Sequence, residues 1–140
     1  MVQAYLDELR ATVARLEASN EPGFGATATR LKDAVDALDR ATQWLLVRLG
    51  GGAADDALAG ATPYLRLFGN AAGGCMLADE ALAALRTGDG TGDGSADAPG
   101  RVALARFFAE QVAVHAGGLA MSVMEGAATL PAAALPDAAA

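Results

Sequence analysis

Apolar positions along the chain recur at spacings of three and four residues in four stretches, the period of a helix that buries one face. In the first, Val2, Leu6, Leu9, Val13 and Leu16 form one stripe. The breaker Ser19-Asn20-Glu21-Pro22-Gly23 ends it, because Pro22 and Gly23 do not continue a helix comfortably. The second carries Leu31, Val35, Leu38, Thr42, Leu45 and Leu49, with Lys32, Asp33, Asp36, Asp39 and Arg40 turned away, and stops at Gly50-Gly51-Gly52. The third runs from about Ala53 to Arg86 and contains Pro63, which lacks an amide proton and forces a kink or a restart. A short helix is expected near Ala53–Gly60, then a long one from Pro63 with Thr62 as its N-cap. Leu65, Phe68, Ala72, Cys75 or Met76, Leu82 and Leu85 are its predicted buried face.

A low-complexity linker, Gly88 to Gly100, precedes the last stretch, where one helix is expected from about Arg101 to Thr129. Ala105, Phe108, Val112, Leu119 and Val123 face its core, and Gly117-Gly118 is expected to weaken or bend it. These patterns predict an all-α fold: an antiparallel four-helix up-and-down bundle with a kinked third helix and a flexible Gly/Asp-rich linker before the last helix. Residues 1–130 make one predicted domain and residues 131–140 a frayed tail.

Composition strengthens the helical reading. The chain is rich in Ala and Leu, the strongest helix formers, and has no Ile, while the aromatic share is 5%. At 140 residues and 53% apolar it has the means to build a core. Ten basic residues against seventeen acidic ones, a net charge of -7, argue against a nucleic-acid backbone as partner and against an anionic membrane. The single cysteine, Cys75, makes no internal disulfide, which fits a reducing cytoplasm. The start has no cationic region followed by an apolar one, so no secretory signal is read there, and no run of about 18 uncharged apolar residues spans a bilayer.

Candidate chemistry is sparse. Asp89, Thr91 and Asp93 mimic the opening of a calcium loop, yet its twelfth position, which should supply a carboxylate, is Gly100. His115 is the only histidine, too few for a di-iron bundle or a zinc site. Cys75 reads as a small core residue, not a nucleophile. Gly69 and Gly73, four apart, suit a close helix crossing or a subunit contact; no strand precedes them and no lysine follows, so the phosphate-loop contexts fail. Arg66 and Asn70 share a helix face, as do Arg106 and Glu110. Both arginines sit beside aromatics, so these residues with Tyr64 and Phe68 are either surface ion pairs or a docking surface.

Two stretches, Leu58–Ala78 and Val102–Val112, carry a resemblance. They resemble the small helical domain at the C-terminus of a bacterial subgroup of acyl-CoA dehydrogenases, the acetyl-CoA dehydrogenase-like C-terminal domain. The resemblance implies a flavoenzyme tail whose catalytic body lies outside these residues. That body binds FAD and removes hydrogens from the α and β carbons of an acyl-CoA thioester, with a glutamate base just upstream of this domain. None of Glu8, Glu17, Glu21, Glu80, Glu110 or Glu125 stands in a matching motif, so no catalytic residue is carried over. The implied cofactor is FAD in the parent enzyme and none on this chain alone. The implied partners are the catalytic body, a homo-oligomer, or both. The interface candidates are Tyr64, Arg66, Phe68, Gly69, Asn70, Gly73, Arg106 and Glu110. The linker and Gly117-Gly118 depart from the family pattern and bear on the geometry of the last helix. The alternative is a free-standing helical dimerisation or partner-binding module. An independent enzyme would need convergent titratable groups, which the sequence does not offer.

Overall fold

The computed structural model describes residues 1–87 and 97–130, and the regular structure there is helical throughout. The linker expected over 88–100 lies outside the described residues up to position 96, as does the tail expected at 131–140. Among the described residues no helix is long and apolar enough to cross a membrane.

Helix α1 (Val2–Ser19) buries Leu6, Leu9, Val13 and Leu16, as its stripe predicts. It stops where Asn20 turns left-handed at φ 51°, a conformation asparagine tolerates better than most residues. A 3-10 turn at Pro22–Phe24 follows. Helix α2 (Thr27–Gly50) buries Leu31, Val35, Leu38 and Thr42, with Ala34, Ala37 and Ala41 between them. Leu49, expected on the same stripe, is exposed, because the core ends before the last two turns of α2.

Helices α3 (Ala54–Ala59) and α4 (Ala61–Thr87) adjoin at Gly60. The amide of Tyr64 donates to the Gly60 carbonyl at 3.0 Å, so α4 opens two residues earlier than the sequence suggests and Thr62 is not its cap. Pro63 falls in the first turn, where its missing proton is one that no helix would use. The buried face of α4 is Leu67, Ala71, Cys75, Ala78 and Leu82, joined by Ala72, Gly74, Ala81 and Ala84. Leu65, expected inside, is 72% exposed, and of the pair Cys75 and Met76 it is Cys75 that turns inward. Phe68 and Leu85 are half-buried against the core. The face is rotated from the predicted one because α4 packs against α1, α2, α5 and α6 together.

The single last helix expected from Arg101 to Thr129 is two helices. Helix α5 (Ala98–Gln111) begins three residues early, since the Asp97 carboxylate accepts the Gly100 amide at 2.9 Å and Pro99 is again harmless in a first turn. Helix α6 (Ala116–Glu125) follows a 3-10 turn at Ala113–His115. The break falls between the β-branched Val112 and Val114, not at Gly117-Gly118, which lie inside α6. A 3-10 turn repeats every three residues, and Ala113 and Ala116 at that spacing are both buried. Ala105, Ala109, Ala113, Ala116, Ala120 and Val123 thereby stay on one inward line.

Side-chain pairs tie the helices together. Gln43 donates to Gln3 at 3.3 Å, and Arg10 reaches Asp39 at 2.6 Å, between α1 and α2. Arg15 reaches Asp79 at 2.7 Å between α1 and α4, and Arg101 reaches Glu80 at 2.8 Å between α4 and α5. Leu31 of α2 lies directly over Gly74 of α4, where any added Cβ would collide with its side chain.

Two glycines of this region should respond to alanine with opposite signs. A Cβ on Gly60 would sit 2.9 Å from the Val123 carbonyl oxygen, a backbone atom that cannot swing aside. Gly60→Ala is therefore expected to destabilise by about 1–3 kcal/mol. A Cβ on Gly69 meets nothing within 4 Å, so Gly69→Ala is expected to stabilise by up to about 1 kcal/mol through helix propensity. Urea unfolding of the two variants checks both signs.

Candidate functional site

Six of the candidate residues stand along α4. Tyr64 and Phe68, one turn apart, are half-buried with their rings tilted at 6.5 Å, and Phe68 stacks on Tyr5 of α1 at 5.5 Å. The Tyr64 hydroxyl lies 2.8 Å from Thr42 Oγ1. Thr42 is buried and its one proton goes to the Leu38 carbonyl at 2.7 Å, so Tyr64 is the donor and Thr42 the acceptor. These two aromatics are thus committed to holding α4 against α1 and α2.

Arg66 is exposed, and among the described residues it makes no ion pair. Asn70 is half-buried, and no hydrogen bond joins it to Arg66. The close crossing expected at Gly69 and Gly73 falls one residue further on. Gly69 is open to solvent, Gly73 has ordinary contact space toward Phe108 at 3.6 Å, and Gly74 takes the tight approach of Leu31. The sequence shows three glycines within six residues but not which one turns toward α2.

Arg106 and Glu110 meet as expected, with Arg106 Nε 3.0 Å from Glu110 Oε1. Both also meet the segment just ahead of α2. The same Glu110 oxygen accepts the backbone amide of Ala26 at 3.2 Å, the residue that precedes α2. Arg106 lies over Gly25, whose φ of 52° favours glycine and whose missing side chain leaves the guanidinium room. The Ala26 amide first, and Arg106 second, hold the Glu110 carboxyl below the usual carboxylate range, against the opposing effect of burial. Glu110 thereby supplies, from α5, the side-chain acceptor that the N-terminus of α2 lacks locally.

A polar cluster that sequence reasoning did not single out joins α1 to α4. Buried Thr12 donates to Asp79 at 2.8 Å, and Arg15 donates to both Thr12 and Asp79, at 2.9 and 2.7 Å. The available signal was Thr12 beside Val13 and Asp79 amid the alanines, polar residues interrupting inward stripes. Cys75 lies next to this cluster, fully buried, with its thiol pushed up to about 12 by burial and then by Asp79. That thiol is an acid too weak to supply a nucleophilic thiolate near neutral pH. A second ion pair, Arg10 with Asp39, draws the Asp39 carboxyl below its ordinary range through that hydrogen bond. Among the described residues no three His, Cys, Asp or Glu side chains converge on a metal-sized space. His115 is exposed at the 3-10 turn. Among the described residues the arrangement orients helices and brings no acid, base and nucleophile to one point.

Three outcomes follow from this geometry. Tyr64→Phe leaves the Thr42 oxygen without its donor and is expected to cost about 1 kcal/mol of stability, read as a shifted denaturant midpoint with unchanged slope. Glu110→Ala is expected to lower the melting temperature near neutral pH. Because the native carboxyl is held below its unfolded value, its contribution is complete above the unfolded pKa and fades as pH falls through the native one. The gap between wild type and variant should therefore close on acidification, which melting curves across that range would show. Cys75 is expected to resist Ellman's reagent in the native chain and to react with it promptly once denaturant unfolds the helices.

Comparison with known proteins places this helical chain. No curated protein and no solved structure matches it significantly. The family described as acetyl-CoA dehydrogenase C-terminal like matches residues 5–134, which takes in all of the described helices from the first turn of α1 onward. The match includes every tie described above between α4, with its inward alanines and Gly74, and the helices around it, and on that extent the chain belongs to the acetyl-CoA dehydrogenase C-terminal-like family.

Proposed function

We propose that the chain is a non-catalytic accessory domain of a FAD-dependent acyl-CoA dehydrogenase, packing on the catalytic body and supporting oligomer assembly. The parent reaction is α,β-dehydrogenation of an acyl-CoA thioester. The observation that carries this reading is the family match over residues 5–134. The internal use of the polar side chains agrees with it, since Glu110, Asp79 and Tyr64 each fasten one helix to another. We read the pairings Gln3 with Gln43, Thr42 with Tyr64 and Glu80 with Arg101 as an antiparallel up-and-down bundle over a single domain of residues 1–130, working in the cytoplasm. FAD belongs, on this reading, to the body and not to this chain. Of the interface candidates, Arg66, Gly69 and Arg106 are exposed and available to a docked body, while the half-buried Tyr64, Phe68 and Glu110 support the surface beneath.

The test is direct. Purified chain is mixed with FAD-loaded acyl-CoA dehydrogenases of the source cell, each expressed without this domain, and binding is followed by calorimetry. The expected outcome is binding to one of them, together with no flavin uptake and no acyl-CoA oxidation by the chain alone. Turnover by the chain alone, or a stable homodimer indifferent to every dehydrogenase body, would overturn the reading; the homodimer would favour the free-standing module.

A further inference from the structure

The last two turns of α2 are apolar on every side but that of Arg48, and among the described residues nothing covers Leu46, Val47 and Leu49, while Trp44 and Leu45 are half-buried. Leu45, Leu46, Val47 and Leu49 follow one another with only Arg48 between them, and Leu46, Val47 and Leu49 are 50%, 72% and 56% exposed. A helix that is apolar on every side ordinarily sits in an interior. Two further exposed leucines belong to the same end: Leu58 on α3, which packs on α2, and Leu130, which follows the 3-10 turn Gly126–Thr129 packed on α3. The one charge in the α2 run is drawn aside, since Arg48 lies over the Trp44 ring at 5.1 Å and pairs with Asp56 at 3.6 Å. A groove of about 450 Å³ between Trp44, Val47 and Ala53 is cut into this surface.

We propose that this end of the helices, built from the α2 terminus and α3, is the seat of the dehydrogenase body; the inference rests on the accessory-domain reading above. The position of α1 selects the occupant. The family is by its description C-terminal, so in a protein of that family the body comes ahead of the matched region, which opens on α1. The first turn of α1 is fastened to this same end through the Gln3–Gln43 bond, one turn away from Val47. A body joined ahead of α1 is delivered here. The other end of α2 lies 24 residues away, about 36 Å at the helical rise of roughly 1.5 Å per residue. A joining segment adds at most about 3.6 Å per residue, so a short one keeps the body beside the α2 terminus. Uncovered apolar side chains at the place where the body must arrive are what a docking surface needs at its centre.

The experiment places a carboxylate on each helix of the patch and one elsewhere. Val47→Asp and Leu58→Asp alter exposed side chains, so both variants should melt within a few degrees of wild type. Each is expected to weaken binding to the purified dehydrogenase body at least about tenfold. Phe107→Asp is the control: Phe107 is also exposed but lines the groove beside Glu21, Gly23 and Pro99, away from α3, and the variant should bind as wild type does. If wild type binds a body and the two patch variants bind it equally well, this inference falls while the accessory-domain reading stands. Loss of binding only in Phe107→Asp has the same meaning. If wild type binds no body, both fall together. Light scattering decides the rival occupant: a dimer of the wild-type chain that Val47→Asp splits would assign the patch to a second copy and overturn the proposal.

Discussion

Everything in this fold depends on how closely α2 and α4 approach each other. Leu31 lies over Gly74, a position with no room for a further carbon. The neighbouring inward residues of α4 are Ala71, Cys75 and Ala78, so its backbone comes near each helix around it. Side chains this small contribute little transfer free energy of their own. The large buried side chains come mainly from α1 and α2, as Leu6, Leu9, Leu16, Leu31 and Leu38. The division is economical in entropy as well, because alanine has no rotamers to lose on burial. α4 acts as a thin central rod, and the leucines of its neighbours fill the space around it.

The polar ties act on this frame as locators. None of the ion pairs among the described residues is deeply buried, and exposed pairs contribute at most about 1 kcal/mol each, so they do not hold the helices together by strength. They choose register. Thr12, Arg15 and Asp79 are mutually satisfied only when α1 and α4 sit at one relative height. Glu110 does the same between α5 and the start of α2. The absence of any buried side-chain polar atom without a partner, among the described residues, shows how completely these groups are used.

Much of this was legible in the sequence. The stripes of α1 and α2 are long, regular and bounded by strong breakers, so periodicity alone located both helices and most of their buried residues. It failed where the pattern was ambiguous or outran the core. In α4 nearly every position is apolar or small, and several rotations satisfy such a pattern, so Leu65 was placed inside and lies outside. Leu49 continues a genuine stripe past the point where any neighbour remains to cover it. The division of the last helix left no glycine or proline signal at Val112, because the break serves the inward alignment of Ala113 and Ala116, a tertiary requirement. Among the candidate residues, the pairing of Arg106 with Glu110 was readable from spacing, but its third member, the Ala26 amide, comes from 84 positions away and leaves no trace in local sequence.

The 3-10 turn at Ala113–His115 has a consequence for how the protein opens. It separates two short helices that are moored independently, α5 through Arg101 and Glu110, and α6 through the contact of Val123 with Gly60. Neither helix is long enough to persist once its mooring is released, since helices of this length are marginal in water. The chain therefore has a seam: release of α6 would free its packing on α2 and α4 and its contact with Gly60 while α5 keeps the start of α2 capped, and the reverse opening would uncap α2 but leave Gly60 covered. Two distinct partial openings are therefore expected, each exposing a different part of the same alanine-lined interior.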